Sequence, residues 1–220
     1  MVPESVPIST NGKQLFIARH GETVFNVVSR MQGQGEVHTP LTWAGCAQAR
    51  EMGLALAHYR QAGAPLSLWA SSAGRALQTL AIIAEQIGAD WHSAQRDDRL
   101  LEIDVGQWSG RTYSAIIAES GPIIDREQHL FTVRAPDGEY YDDVARRLSQ
   151  WLAEQRFEND MLIISHGMTA RVLRGLLLGH APLPGYDAPI ACSLAQGSMV
   201  MICDGVEQIV IDGAGAGERG

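Results

Sequence analysis

Short apolar runs that alternate with helical stretches constrain this chain most. Residues 14–19, 66–70 and 161–164 are each followed by a segment with helical spacing. Runs of that length, bounded by polar residues, read as buried strands. Strands that alternate with helices predict a mostly parallel sheet covered on both faces. The expected fold class is therefore α/β, with three α/β/α layers. In such sheets ligands bind beyond the carboxyl ends of the strands.

Helix signals fill the intervals. Thr42 reads as an N-cap for a helix from residue 43 to about 62, with Trp43, Ala47, Leu54 and Ala57 near one face. A helix from Arg75 to about Ile87 is closed by Gly88. Residues 112–119 suggest a short helix, and 142–157 an amphipathic one with Val144, Leu148, Trp151 and Leu152 facing inward. Residues 167–178 give the next helix. Residues 192–211 hold two β-rich runs, with Asp204-Gly205 as a hairpin turn that could serve a homodimer edge. The expected organisation is a flexible tail over 1–13, a single domain over 14–212 and a disordered tail over 213–220. Within the domain, 111–140 reads as a helical and loop excursion over the site.

Charge narrows the partners. The net charge is −8 with no basic block, which argues against nucleic-acid binding. A small anionic ligand remains compatible, because local arginines override the global sign. No apolar run reaches the roughly 18 residues of a spanning helix, and the polar start, with Pro3 and Pro7, does not read as a signal peptide. No membrane association is expected. Cys46, Cys192 and Cys203 are scattered without metal spacing and read as thiols of a reducing, cytoplasmic protein.

One pattern recurs at strand ends. It is IARHG, from Ile17 to Gly21, and ISHG, from Ile164 to Gly167. It sets His20 and His166 just past two strands, and Arg75 lies shortly beyond a third. Arg19 and Arg75 offer forked cationic donors suited to phosphate. The helix after Ser72 offers free amides and the positive end of its dipole. Gly21 and Gly167 let backbone come close to a ligand. Neighbouring arginines disfavour protonation of histidine and leave a ring nitrogen free to attack. These parts describe a phosphoryl pocket with a histidine nucleophile. The leaving alcohol needs a proton. Glu102, carried on Leu100-Leu101 into partly apolar surroundings, is a candidate donor, and Asp104 is its local rival.

RHGET with Asn26, SSAGRALQT, LLEIDVGQWSG and ISHG, in this order, resemble the histidine phosphatase superfamily, the phosphoglycerate mutase-like family. The resemblance implies the phosphoglycerate mutase-like fold. It implies that His20 becomes phosphorylated, that Arg19, Arg75 and His166 complete the phosphate pocket, and that Glu102 donates and accepts the proton. It makes Asn26, Gln32, Gly33 and the Gly167 amide substrate-side groups. It implies a small phosphorylated metabolite as partner, and neither a metal nor an organic cofactor.

Members either hydrolyse the phosphohistidine or return its phosphoryl group to substrate. Cofactor-dependent mutases follow the acidic residue with Arg-x-x-Tyr-Gly and carry a long basic insertion. Here Ile103-Asp104-Val105-Gly106 follows, and residues 121–138 form a modest insert. The resemblance thus points to the phosphatase branch, either of broad specificity or for sugar or glycerate phosphates. The alternatives are a phosphoglycerate mutase-type phosphotransferase and a catalytically silent phospho-ligand binding protein. Tyr140 stands where the family has a small residue, near the expected pocket mouth. Trp108 is a candidate pocket wall, and Arg126 and Arg134 are candidate contacts for a second anionic group. His38, His58, His92, His129 and His180 read as surface or packing residues.

Overall fold

All five residues of Leu15–Arg19 (β1) are buried, and its apolar side chains divide between two cores. The computed structural model describes residues 6–61 and 63–213. After β1 come α1 (Val24–Val27), α2 (Trp43–Tyr59), β2 (Leu66–Ala70), α3 (Gly74–Ile87) and β3 (Gln95–Arg96). Then follow α4 (Tyr113–Ser120), α5 (Tyr141–Ala153), β4 (Asp160–Ser165) and α6 (Gly167–Leu177). A small pair, β5 (Pro182–Leu183) and β6 (Ala188–Pro189), precedes β7 (Met199–Cys203) and β8 (Val206–Ile211).

The central sheet has six strands in the order β3-β2-β4-β1-β7-β8. Every neighbouring pair from β3 to β1 is parallel. β7 runs antiparallel to both β1 and β8, so it alone is reversed. The period of two along each strand sorts side chains by face. Leu15, Ile17, Met161, Ile163, Val200 and Ile202 face the core shared with α5 and α6. Phe16, Ala18, Leu162, Ile164, Met199 and Met201 face the core shared with α2 and α3. The result is the expected three-layer, mostly parallel α/β fold.

Several elements differ from the sequence expectation. The first strand of the C-terminal hairpin lies inside the sheet against β1, and of the hairpin's two strands it is β8 that forms an edge. The turn is as expected, with Asp204 at φ 43° and Gly205 at φ 79°. α2 buries Gly45, Ala49, Met52, Gly53 and Leu56, while Trp43 is 91% exposed. Ala47 and Ala57 are exposed too. The inward face is chosen by close approach: a Cβ on Gly53 would lie 2.7 Å from Gln86 Cβ on α3. α2 stops at Tyr59, short of residue 62, which lies outside the described set. α5 stops at Ala153, and Phe157 takes a positive φ of 46° on the way into β4.

The N-terminal segment is pinned over its described part. Ile8 N–H donates to Leu177 O at 3.1 Å. The Asp204 carboxylate accepts from Thr10 N–H at 2.7 Å and Gly12 N–H at 3.0 Å. The polar segment is thus fastened to α6 and to the aspartate of the hairpin turn. Residues 1–5 and the glycine-rich 214–220 lie outside the described residues. Within the excursion, an isolated bridge joins Ile124 to Phe131, and Ile123, Leu130, Phe131 and Ala135 are buried.

Candidate active site

Three adjacent parallel strands deliver the central residues. Arg19 at the end of β1 is level with Ser165 on β4, and Ala70 at the end of β2 with Ile164. The next residues are His20, His166 and Ser71. Arg75 lies in the first turn of α3. His20 is 4% exposed, and His166, Ser71 and Arg75 are 0% exposed. Residues remote in sequence therefore meet at one sheet edge.

Hydrogen bonds decide the state of each imidazole. His20 Nδ1 lies 2.7 Å from Gly21 O. A carbonyl only accepts, so Nδ1 carries the hydrogen and Nε2 keeps its lone pair. Arg75 Nε donates to His166 Nδ1 at 3.2 Å, which leaves His166 Nε2–H to meet Ser71 Oγ at 2.7 Å. The rings pack edge to face with centroids 5.1 Å apart. Burial pushes the His20 pKa well below the usual value, and the Arg75 and Arg19 charges add to this. Burial, followed by Arg75, does the same to His166. Both imidazoles are therefore held neutral among cations, the state a nucleophilic nitrogen needs.

The arginines are anchored by main chain. Arg19 donates from Nη1 to Leu194 O at 2.8 Å. Arg75 donates from Nη1 to Glu36 O at 2.9 Å and from Nη2 to Gly33 O at 3.4 Å. Burial lowers the Arg75 pKa to about 10, opposed by Glu102 and Glu36, so the guanidinium stays charged near neutral pH.

Glu102 meets donors rather than an apolar pocket. Its carboxylate accepts from Ile103 N–H at 2.9 Å, Thr169 N–H at 3.0 Å and Met168 N–H at 3.2 Å. It thereby caps α6, whose N-cap residue His166 makes no side-chain cap of its own. The α3 terminus is less open than expected. Ala73 N–H donates to Ser71 Oγ at 3.1 Å, and Gly74 N–H donates to Val37 O at 2.7 Å. Gly21 also serves another purpose than ligand approach: a Cβ there would lie 2.3 Å from Gly45 O on α2.

A cleft of about 300 Å³ opens here, lined by Arg19, His20, Asn26, Gln32 and Glu102 among others. Asp104 does not line it; its Oδ1 accepts from Gly106 N–H at 2.9 Å. Asn26 sits in the cap of α1, where its Oδ1 accepts from Thr23 N–H at 2.9 Å. That turns the amide nitrogen into its available end. Gly33 lies behind the cleft wall, where a Cβ would meet Val105 at 2.8 Å. Trp108 is a core residue with its ring 6.1 Å from Phe131. Tyr140 stays off the lining and donates to Phe131 O at 3.1 Å. Arg134 pairs with Asp142 and Asp143, and Arg126 is exposed and does not line the cleft. Gln196, Arg30, Tyr113 and Phe131 also line the cleft. They come from loops and a helix start with no periodic signal, so only the fold reveals them. Among the described residues, no group of three His, Cys, Asp or Glu side chains is placed to hold a metal ion.

The chain as a whole is similar to known proteins. The sequence pattern of the histidine phosphatase superfamily (branch 1) matches residues 15–208. A probable phosphoglycerate mutase GpmB of Erwinia tasmaniensis is 34% identical over 173 residues, covering 76% of this chain and 75% of that protein. Among solved structures, a mycobacterial glucosyl-3-phosphoglycerate phosphatase is 28% identical with a TM-score of 0.67, covering 86% of this chain and 89% of its own. The Bacillus stearothermophilus protein YhfR is 27% identical with a TM-score of 0.69, covering 91% and 96%.

Proposed function

Because the chain belongs to the histidine phosphatase superfamily, we propose that it hydrolyses small phosphomonoesters through a phosphohistidine at His20. The observation that carries this reading is the Nδ1–H bond from His20 to Gly21 O, which points a neutral Nε2 lone pair into the cleft. In the first step Nε2 bonds to phosphorus, the P–O bond to the alcohol breaks, and Glu102 gives its proton to the leaving oxygen. In the second step water attacks phosphorus, the P–N bond breaks, and Glu102 takes the water's proton. The cycle returns His20 with its Nε2 lone pair restored. Arg19 holds the phosphoryl oxygens at the cleft wall, and the buried Arg75 and His166 support it from behind and stabilise the charge that spreads over those oxygens in transfer. Asn26, Gln32 and the Gly167 amide complete the substrate contacts.

Hydrolysis rather than mutation is supported by the cleft's charge. Its lining cations are Arg19 and Arg30, and the segment after Glu102 contributes apolar Ile103 and Val105. That suits one phosphoryl group better than a bisphosphate. The likeness to a glucosyl-3-phosphoglycerate phosphatase favours sugar or glycerate phosphates as substrates. The three cysteines are unpaired, in keeping with a reducing cytoplasm. The deciding experiment mixes the protein with 3-phosphoglycerate and a bisphosphoglycerate. Release of inorganic phosphate, abolished in His20→Ala, is expected. Fast interconversion of phosphoglycerates with little free phosphate would establish the mutase instead.

A further inference from the structure

Glu102 sits on a segment without regular structure, residues 101–105, so no strand ladder fixes it. Its carboxylate is held by the α6 amides, and the main chain that carries it is held by side chains, most of them from one pair. Arg147 on α5 is bidentate to Glu139, with Nε to Oε1 at 2.9 Å and Nη2 to Oε2 at 3.1 Å. The same guanidinium donates to Leu101 O at 2.9 Å and Glu102 O at 3.3 Å, and also to Arg99 O. Glu139 in turn accepts Asp104 N–H at 2.9 Å through Oε2. Gln34 Nε2 spans Glu139 Oε2 and Glu102 O, at 3.2 Å to each. The main chain on both sides of Glu102 is thus clamped by one ion pair. Both side chains are sheltered, 13% and 21% exposed, which makes the clamp stiffer than a solvated pair.

We propose that Arg147 and Glu139 are positioning residues that set the Glu102 carboxyl group where it can protonate the leaving oxygen. Neither lines the cleft beside His20. This proposal rests on the assignment of Glu102 as the proton donor. A loosened clamp leaves the phosphate pocket of Arg19, Arg75 and the two histidines standing and moves only the acid. A displacement of about 1 Å is enough to cost a proton transfer heavily.

The leaving group separates this role from a structural one. 2,4-Dinitrophenolate departs from phosphorus without a proton, whereas an alkoxide requires one. Arg147→Lys keeps the charge but loses the planar fork, and Glu139→Gln keeps the shape but loses the ion pair. Each is expected to lower kcat/KM for glycerol phosphate by about tenfold or more. Each should change kcat/KM for 2,4-dinitrophenyl phosphate by less than about threefold, since that step needs no acid. Glu102→Gln, measured in parallel, should show the same selectivity more strongly. If Glu102→Gln is selective while both clamp variants lose the two activities equally, or lose neither, the clamp proposal is overturned and the acid assignment stands. If Glu102→Gln shows no selectivity, the acid assignment fails and the clamp falls with it. Should Arg147→Lys not fold, Glu139→Gln alone decides.

Discussion

His20 suits a nucleophile's role because its surroundings remove a proton rather than add a base. Burial and two flanking guanidinium groups disfavour the imidazolium, and Gly21 O fixes the remaining hydrogen on Nδ1. A depressed pKa means that the neutral form persists to lower pH than in a free histidine. The acid limb of kcat/KM should therefore fall below the ordinary histidine value of 6.5, once the substrate's own ionisation is allowed for. A pH profile with an activated aryl phosphate checks this, and a limb at the ordinary value would contradict the assignment. At this scale much of the site was legible. Arg19, His20, Arg75 and His166 sit in short motifs at strand ends, and strand ends converge by rule. The positioning role of Arg147 and Glu139 was not legible, because beyond each other and Gln34 their partners are mostly main-chain atoms of a loop whose path no pattern predicts.

Among elements, the contact between α2 and the loop after His20 is one of the tightest. A Cβ on Gly45 would lie 2.1 Å from Glu22 O, a clash with backbone that no rotamer relieves. Gly45→Ala is expected to destabilise the fold by about 1–3 kcal/mol, as overpacking does. It should also lower activity, since the displaced loop carries His20. Chemical denaturation gives the first quantity, and an unchanged midpoint would show that the loop yields freely. The same contact explains why the expected face of α2 differs from the buried one. Hydrophobicity favoured Trp43, but closeness selected Gly45, Ala49 and Gly53, and small residues leave a faint periodic signal. The strands were easier to place, since burial on both faces leaves uninterrupted apolar runs.

Taken as a molecule, the protein buries two imidazoles in their neutral forms. The unfolded chain binds protons on these groups below about 6.5, while the folded chain does not until lower pH. Protons therefore favour the unfolded state, and the histidines' contribution is fully present above 6.5 and lost as pH falls. The melting temperature should decline from pH 7 to pH 5, and decline less in His20→Gln/His166→Gln. Equal slopes for both proteins would assign the decline to other groups.

The sheet order also governs how the protein comes into being. β1 has two neighbours, β4 and β7, reached in register at residues 161–165 and 199–202. This apolar strand thus waits for both partners, each of which follows it by more than a hundred residues of synthesis. Until they emerge it is an unpaired edge, open to wrong pairing. Such distant pairings also slow folding. The strand that carries His20 to the cleft is made before both of its sheet partners and enclosed only after them, so the nascent protein is vulnerable at the segment that leads into its candidate site.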